Sequence, residues 1–558
     1  MRRKNWELKG IFWIITLLFV GFLAAPILLL LGKSLLGDGG LTGEFYISVV
    51  TRDGFLTALG NSFAVAASAV VATIIAFLMA YAVHYTELPK WAKRLITAIA
   101  TLPMFLPTIT YGFAIIYSFG RQGLLTRLLG RQFFDIYGFG GLLVGYVIYT
   151  IPVAFLLIHN TMGFVDKKTI IVSKIMGDRD LATFWIAILR PLLGTLAGAF
   201  IQAFFLCFTD FGIPASVGGG YEVIATLLYN QMLGGIPDFN RGAVIAMIML
   251  IPSIGSICIL QLLERFNIRY TRISQADLRK NPLRDTGWGI SSAVISVAIL
   301  SIFAVIFVVP LVEEWPYQTG FSLEHFAAVF TDSELITVYW HSLVMALLTA
   351  FLGTLAAYGA ALITARSTLS PRYKRVIESI ALVTNAIPGM VLGVAYMFLF
   401  SGTGLQNTLL LMILCNIVHY FSTPYLMMKN SLSKMNAGWE TTAMLMGDSW
   451  LQTILRVVTP NALSSLIEVF SYYFINSMVT ISALIFIAGA RTMVLTTMIK
   501  QLQYVNRFNE VFVLSLLILA TNLIAKGLFS CLASYKAAHP VKERRPIQRF
   551  AKRKEAVQ

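Results

Sequence analysis

Very few side chains in this sequence are spaced to do covalent chemistry. Gly32-Lys33-Ser34 ends like a phosphate-binding loop, in which glycine amides cradle phosphates and a lysine reaches them. That loop also needs a glycine five residues before Gly32, where the chain has Ile27 inside an apolar run. The chain is therefore not expected to bind a nucleotide itself. Cys207, Cys258, Cys415 and Cys531 all fall in apolar runs, without the CxxC or Cys/His spacing that holds zinc. No set of residues reads as catalytic or as a metal centre. The remaining candidates are polar groups inside apolar runs, where charge is costly and marks paths and gates. Asp210 lies near the outer end of one run, as a gate, a partner contact or a cap for the segment that follows. Glu468 lies eight residues into another run, about 12 Å along a helix axis. There it faces a central path or pairs with a neighbouring helix, and Asn476 follows two turns later on a similar face. His419, near Asn416, reads as a helix–helix hydrogen bond rather than a metal ligand.

The elements that must hold these groups are membrane spans. Of 558 residues, 57% are hydrophobic and 13% charged, with mean hydropathy +0.75, where soluble chains carry about 25% charged residues. Apolar runs long enough to cross a bilayer recur throughout. We count twelve, at roughly 10–32, 58–84, 94–118, 139–160, 191–212 and 241–264, then 288–312, 336–366, 376–400, 405–428, 460–488 and 508–533. The expected fold is an all-α integral membrane protein of two six-helix halves. The net charge of +16 does not call for nucleic acid, because its sources sit between the runs. Arg2, Arg3, Lys4 and Lys9, then Lys90, Lys93 and Arg94, then Arg265, Arg269, Arg272, Arg279, Lys280 and Arg284, then Arg366, Arg372, Lys374 and Arg375, and finally Lys542, Arg544, Arg545, Arg549, Lys552, Arg553 and Lys554 all fall on one side. By the positive-inside rule that side, with both termini, is cytoplasmic. The basic tail also suits contact with anionic lipid. Glu313, Glu314, Glu324, Asp332 and Glu334 fall on the other side, and Arg121, Arg127 and Arg131 run against the rule.

The halves repeat. Asn61-Ser62 and His341-Ser342 open corresponding runs, and each is followed by a basic cluster. Pro107 and Pro388 interrupt the next run, and Thr150-Ile151-Pro152 and Ser422-Thr423-Pro424 break the one after. Met176-Gly177-Asp178 then matches Met446-Gly447-Asp448, the offset drifting from 280 to 270. Six runs per half give both halves one orientation, a parallel repeat around a central path.

The most informative segment lies between the fourth and fifth runs of each half. In the second half it runs from Trp439-Glu440 to Thr459-Pro460, with Ala443, Gly447, Leu451, Ile454, Leu455 and Val458 at helical spacing. Gly447 suits a turn between two short helices, and Pro460 a helix start. Such an amphipathic helix-turn-helix outside the bilayer asks for a partner's groove. The motif resembles the EAA loop of ABC importer permeases: Ala443, Gly447 and Pro460 fall at the family's spacing, while Glu440 is one position early and Thr441-Thr442 replace the usual Glu-Ala; Asp448 and Leu451 complete the candidate residues of this loop. The first-half copy carries Ser173, Gly177, Asp178 and Pro191, lacks the glutamate, and has one more residue between glycine and proline.

The resemblance covers roughly 58–262 and 338–532 and implies the type I importer (MetI-like) permease fold. It implies coupling loops at about 161–190 and 429–459 that insert into two copies of an ATPase subunit, which would bind ATP and Mg, and a periplasmic or lipid-anchored solute-binding protein. The chain would then be a permease of the bacterial inner membrane without enzymatic activity or a cofactor of its own. Its expected division is 1–57 (tail, first span and external loop), 58–264 (first half), 265–287 (basic linker), 288–337 (span seven and external loop), 338–533 (second half) and 534–558 (basic tail). The segment Thr209-Asp210-Phe211-Gly212-Ile213-Pro214, with Ile224 to Tyr229 after it, is similar to ferric-iron, phosphonate and polyamine permeases. Fusion of both halves is similar to the ferric-iron and 2-aminoethylphosphonate groups. Ferric iron is the expected solute, with 2-aminoethylphosphonate or another phosphorylated solute as alternatives. Outside this family, twelve spans in parallel halves also suit an ion-gradient-driven transporter, or a membrane scaffold without transport.

Overall fold

The computed structural model describes residues 6–37, 40–52, 54–132, 134–264 and 281–538. The basic residues at 2–4, 265–280 and 542–554, which carry much of the expected topology signal, lie outside the described residues.

The first half consists of α1 (Trp6–Leu35), α2 (Phe55–Tyr85), α3 (Lys90–Phe105) with α4 (Thr108–Phe119), α5 (Phe139–Met162), α6 (Lys168–Ile175), α7 (Asp180–Thr209), α8 (Ile224–Leu233) and α9 (Phe239–Glu264). The second half repeats it with α10 (Pro282–Leu311), α11 (Ser333–Arg366), α12 (Pro371–Ala386) with α13 (Gly389–Phe400), α14 (Leu409–His419) with α15 (Ser422–Ser433), α16 (Gly438–Leu445), α17 (Thr459–Val479), α18 (Leu495–Tyr504) and α19 (Phe508–Ala538). Among the described residues, eight helices are long and apolar enough to cross a membrane, and three bent pairs bring the count to eleven if each pair is one span. α17 holds the place in the second half that α7 holds in the first, so the helix order of the two halves agrees with the expected six runs in each. A two-stranded antiparallel hairpin follows the first pass of each half: β1 (Leu36–Gly37) with β2 (Gly40–Leu41), and β3 (Val312–Glu314) with β4 (Gln318–Phe321).

Proline explains most departures from straight helices. Pro107 and Pro388 lack an amide for the ladder and push the preceding residue out of the helical region. Leu106 and Ile387 are accordingly extended, and the chain turns by 109° and 103° there. The expected single spans 94–118 and 376–400 are therefore broken. At Pro424 the second half bends by 55°, whereas Pro152 lies inside the unbroken α5, contrary to the expected break in both halves. Thr150, two residues before it, returns its hydroxyl to the Tyr146 carbonyl at 2.8 Å, one way a spanning helix tolerates proline. Three further prolines, Pro26, Pro191 and Pro460, each sit two residues after a π-turn, at Val20–Ala24, Trp185–Leu189 and Ile454–Val458. Each proline ring faces the carbonyl four residues back, in the middle of that wider turn, which relieves the clash. Pro460 and Pro191 thus continue a helix that has already begun rather than start one.

Without a hydrophobic drive between helices in lipid, small residues that let backbones approach hold a bundle together. In α2, Ala69, Ala72, Ala76 and Ala80 are fully buried, and α2 packs along α5. In α11 the matching stripe is Ala346, Ala350, Gly353, Ala357 and Ala361, against α15 and α17. A Cβ at Gly353 would lie 2.7 Å from the Tyr473 ring.

The outer passes are exchanged. α1 lies on the second half, where the Tyr396 hydroxyl donates to the Phe22 carbonyl at 2.6 Å. α10 lies on the first half, where Ser118 donates to the Ile302 carbonyl at 3.2 Å. α19 also crosses over: Asn522 donates to the Phe105 carbonyl at 3.0 Å, and the Thr110 and Ser515 hydroxyls meet at 3.0 Å.

Candidate coupling loops and central path

The two loops between the fourth and fifth passes share one construction. α6 and α16 each end at a glycine with positive φ, Gly177 at 84° and Gly447 at 91°, conformations that a side chain would strain. The next amide closes each turn: Asp178 donates to the Ser173 carbonyl at 3.1 Å, and Asp448 to the Ala443 carbonyl at 3.0 Å. In the first loop the Ser173 hydroxyl reaches the Asp178 carboxylate at 2.6 Å and Thr183 at 3.0 Å, pinning the two arms together. In the second, Ser449 caps the return helix from Trp450 in a reciprocal bond with Gln452.

The loops expose apolar side chains at matching positions. Ile175, Met176, Leu181 and Trp185 are exposed in the first loop, and Leu445, Met446, Leu451 and Leu455, each 270 residues later, in the second. Ile175, Met176, Leu445 and Met446, at the tips, are between 77% and 84% exposed. The helical stripe read from sequence is split by the fold. Ala443, Ile454 and Val458 face inward, while Leu451 and Leu455 face outward beside the tip residues.

Sequence reasoning missed the anchor of the second loop. Glu440 forms a two-pronged ion pair with Arg366, the last residue of α11, with Nε–Oε1 and Nη2–Oε2 both 2.6 Å. Arg366 also donates to the Met435 and Asn436 carbonyls at 2.9 Å each. Its side chain is 3% exposed and that of Glu440 15%. In the sequence Arg366 reads only as one of several topology charges. A basic residue ending a span on the same side as a later loop that carries a lone glutamate is the available signal.

The polar groups of the spans gather less tightly than the loops. A cavity of about 150 Å³ lies between the halves, lined by Gln202 and Ser256 from the first and by Asn385, His419, Thr423 and Tyr472 from the second. Glu468 is exposed one turn before Tyr472 on the same face of α17 and has no ion-pair partner among the described residues. Asn476, one turn beyond Tyr472, donates back to the Tyr472 carbonyl at 2.8 Å. Gly198, Gln202 and Leu206 occupy the matching positions of α7. His419 departs from expectation: its Nδ1 has no hydrogen-bond partner among the described residues, and its ring borders the cavity rather than tying two helices together.

Asp210 does not line this cavity; it is 5% exposed and accepts the Ile213 amide at 2.9 Å. That is the capping geometry among its sequence readings. Replacing Asp210 with alanine should lower stability by about 1–2 kcal/mol, the usual cost of a lost cap. Asn, which keeps an acceptor, should cost less. Thermal unfolding of the three proteins in one detergent checks the order, and equal midpoints would refute the cap.

At the end opposite the loops, the short connecting helices are seated alike. Ser62 accepts the Ile224 amide at 2.8 Å, and Ser342 the Leu495 amide at 2.7 Å. Asn61 bonds the Glu222 carbonyl at 2.9 Å and His341 the Met493 carbonyl at 3.2 Å. The repeated pairs seen in the sequence are these two latches.

Comparison with known proteins agrees with this plan. The family model for the binding-protein-dependent transport system inner membrane component matches residues 353–534. A putative ferric transport system permease protein of Haemophilus influenzae is 24% identical over 475 residues, covering 81% of this chain and 72% of that protein. A ferric transport system permease protein of Actinobacillus pleuropneumoniae is 24% identical over 450 residues, covering 77% of this chain and 64%, under two thirds, of its own length. A thiamine transport system permease protein of Escherichia coli is 23% identical over 351 residues, covering 60% and 62%. The matched segment lies in the second half, the first half repeats its helix order, and the similarity to the ferric transport permeases extends over both, so the chain resembles the binding-protein-dependent inner membrane components with two permease-like halves joined in one chain.

Proposed function

We propose that this permease forms the membrane path for ferric iron, delivered by an extracytoplasmic binding protein and driven by two copies of an ATPase subunit docked on its two loops. The observation that carries the ATPase docking is the pair of apolar tips, exposed at equal positions in both halves on glycine-closed turns. Apolar surface held clear of the bundle in this way suits a helix-in-groove contact. An ion-gradient-driven transporter has no use for two such tips. The first loop keeps the tip but lacks the Glu440–Arg366 anchor, so both loops are proposed to dock and the second to be the more firmly held. ATP and Mg belong to the partner. Ferric iron is favoured because two relatives that align over most of the chain are ferric permeases. The phosphonate alternative draws no support from these relatives.

The test is co-purification with ATPase subunits, comparing the natural chain with Gly447→Arg, which strains the turn and blocks the tip. Capture by the natural chain and loss in the variant is the expected result. Failure of the natural chain to hold any ATPase would end this reading. Within the path, Glu468→Gln should slow iron uptake into proteoliposomes while leaving ATPase capture intact. Unchanged uptake would remove Glu468 from the path.

A further inference from the structure

At the end opposite the loops, α8 and α18 are counterparts, each opening on a Val-x-x-Thr box in which the Thr226 or Thr497 hydroxyl accepts the amide of Val223 or Val494 at 3.1 Å. In that register Lys500 stands where the first half has Tyr229. A cavity of about 530 Å³ opens between them, lined by Ala215, the Gly218–Gly220 turn, Tyr229, Lys500 and Tyr504. The Tyr229 and Tyr504 hydroxyls, one from each half, lie 3.4 Å apart across it.

Lys500 is 7% exposed. Its ammonium donates to Gln503 Oε1 at 2.8 Å and to the Ala215 carbonyl of the other half at 3.4 Å, and lies 4.8 Å from the Tyr504 ring centre. All of these partners are neutral. Among the described residues no carboxylate lies within ion-pair distance of it. Glu222 also lines the cavity and accepts from Asn230 at 3.3 Å. A buried charge without a counter-charge is costly, and burial lowers this ammonium only to about 8, so it keeps its proton at neutral pH. An ammonium with three donors and two phenols beside it offers mainly hydrogen-bond donors. The missing complement is an acceptor-rich anion.

We propose that this cavity between the halves holds a small oxyanion, a phosphate or a carboxylate, on Lys500, so that the solute reaches the path accompanied by negative charge rather than as a bare cation. This rests on the importer reading for the solute, and its binding test does not. The full chain in lipid nanodiscs is titrated with sodium phosphate, with citrate and with ferric citrate, against sodium chloride of equal ionic strength. Binding is read by calorimetry and by the rate of reductive methylation of Lys500, followed by mass spectrometry. Phosphate or citrate should slow methylation about tenfold, equivalent to ~1.4 kcal/mol, and chloride should not. Lys500→Met should abolish the binding heat and Lys500→Arg should retain it. Protection by citrate alone marks a free oxyanion, and protection only by ferric citrate marks one carried on the metal. Either supports the site. No protection by any of the three, or an unchanged heat in Lys500→Met, overturns it. The methylation assay needs only the natural chain, so a misfolded variant leaves the test intact. A chain that captures ATPase but binds no oxyanion refutes this inference alone. One that binds oxyanion but captures no ATPase refutes the importer reading alone.

Discussion

Changing Met176 and Met446 together to glutamate should abolish capture of the ATPase and the transport that depends on it. Each methionine is about four fifths exposed at the tip of its loop. Burying one such side chain in a groove is worth about 1.5–3 kcal/mol, and a carboxylate in its place adds the cost of desolvating a charge. One altered tip therefore weakens its own site by roughly 10- to 200-fold. The other tip still holds its subunit, so single variants should retain partial capture, and only the double variant loses the avidity of two attachments. The folded bundle should be indifferent, and its thermal midpoint should match that of the natural chain. Co-purification with ATPase subunits and ATP-driven uptake check the prediction. Normal uptake by the double variant would show that the tips are not the contact.

The largest effect on stability should come from separating Arg366 and Glu440. Removing one member of a buried ion pair strands the other charge and typically costs about 3–5 kcal/mol. Here Arg366→Met also deprives the Met435 and Asn436 carbonyls of their donor. The expected outcome is a marked fall in thermal midpoint for Arg366→Met or Glu440→Ala, with partial recovery in Arg366→Met combined with Glu440→Met, which removes both charges. Additive losses in the double variant would contradict a direct pair. The first half, by the same registers, has Thr86 and Ile170 at these places, so substitutions there should be mild. The second loop should be more firmly based than the first, a difference visible in hydrogen exchange of the two turns.

The sequence announced the spans, the repeat and both glycine turns because each rests on a local signal. Apolar length marks a span, a recurrent triplet marks the repeat, and a glycine flanked by helical pattern marks a turn. Pro107 and Pro388 were visible as interruptions, but the sharpness of the chain reversal they cause was not. Equal-looking prolines also diverge: Pro152 sits inside a continuous helix and Pro424 beside a 55° bend. The Arg366–Glu440 pair spans 74 residues, and the exchange of α1 and α10 involves residues still further apart. Such contacts leave no periodic trace in a single chain. That Glu468 and Asn476 share a face of α17 follows from helical spacing, whereas the isolation of His419 depends on the cavity between the two halves.

The exchange of outer passes bears on how the protein is made. The carbonyl of Phe22 waits for the hydroxyl of Tyr396, 374 residues later. At about 5–20 residues per second that is roughly 20–75 s of synthesis. During this interval the first pass sits in the bilayer without its final neighbour, a natural client for whatever insertion machinery shelters unpaired spans. The same exchange makes each half the keeper of the other's outermost helix. A chain cut within 265–280 should therefore yield two fragments that mature only when made together, each degraded when made alone.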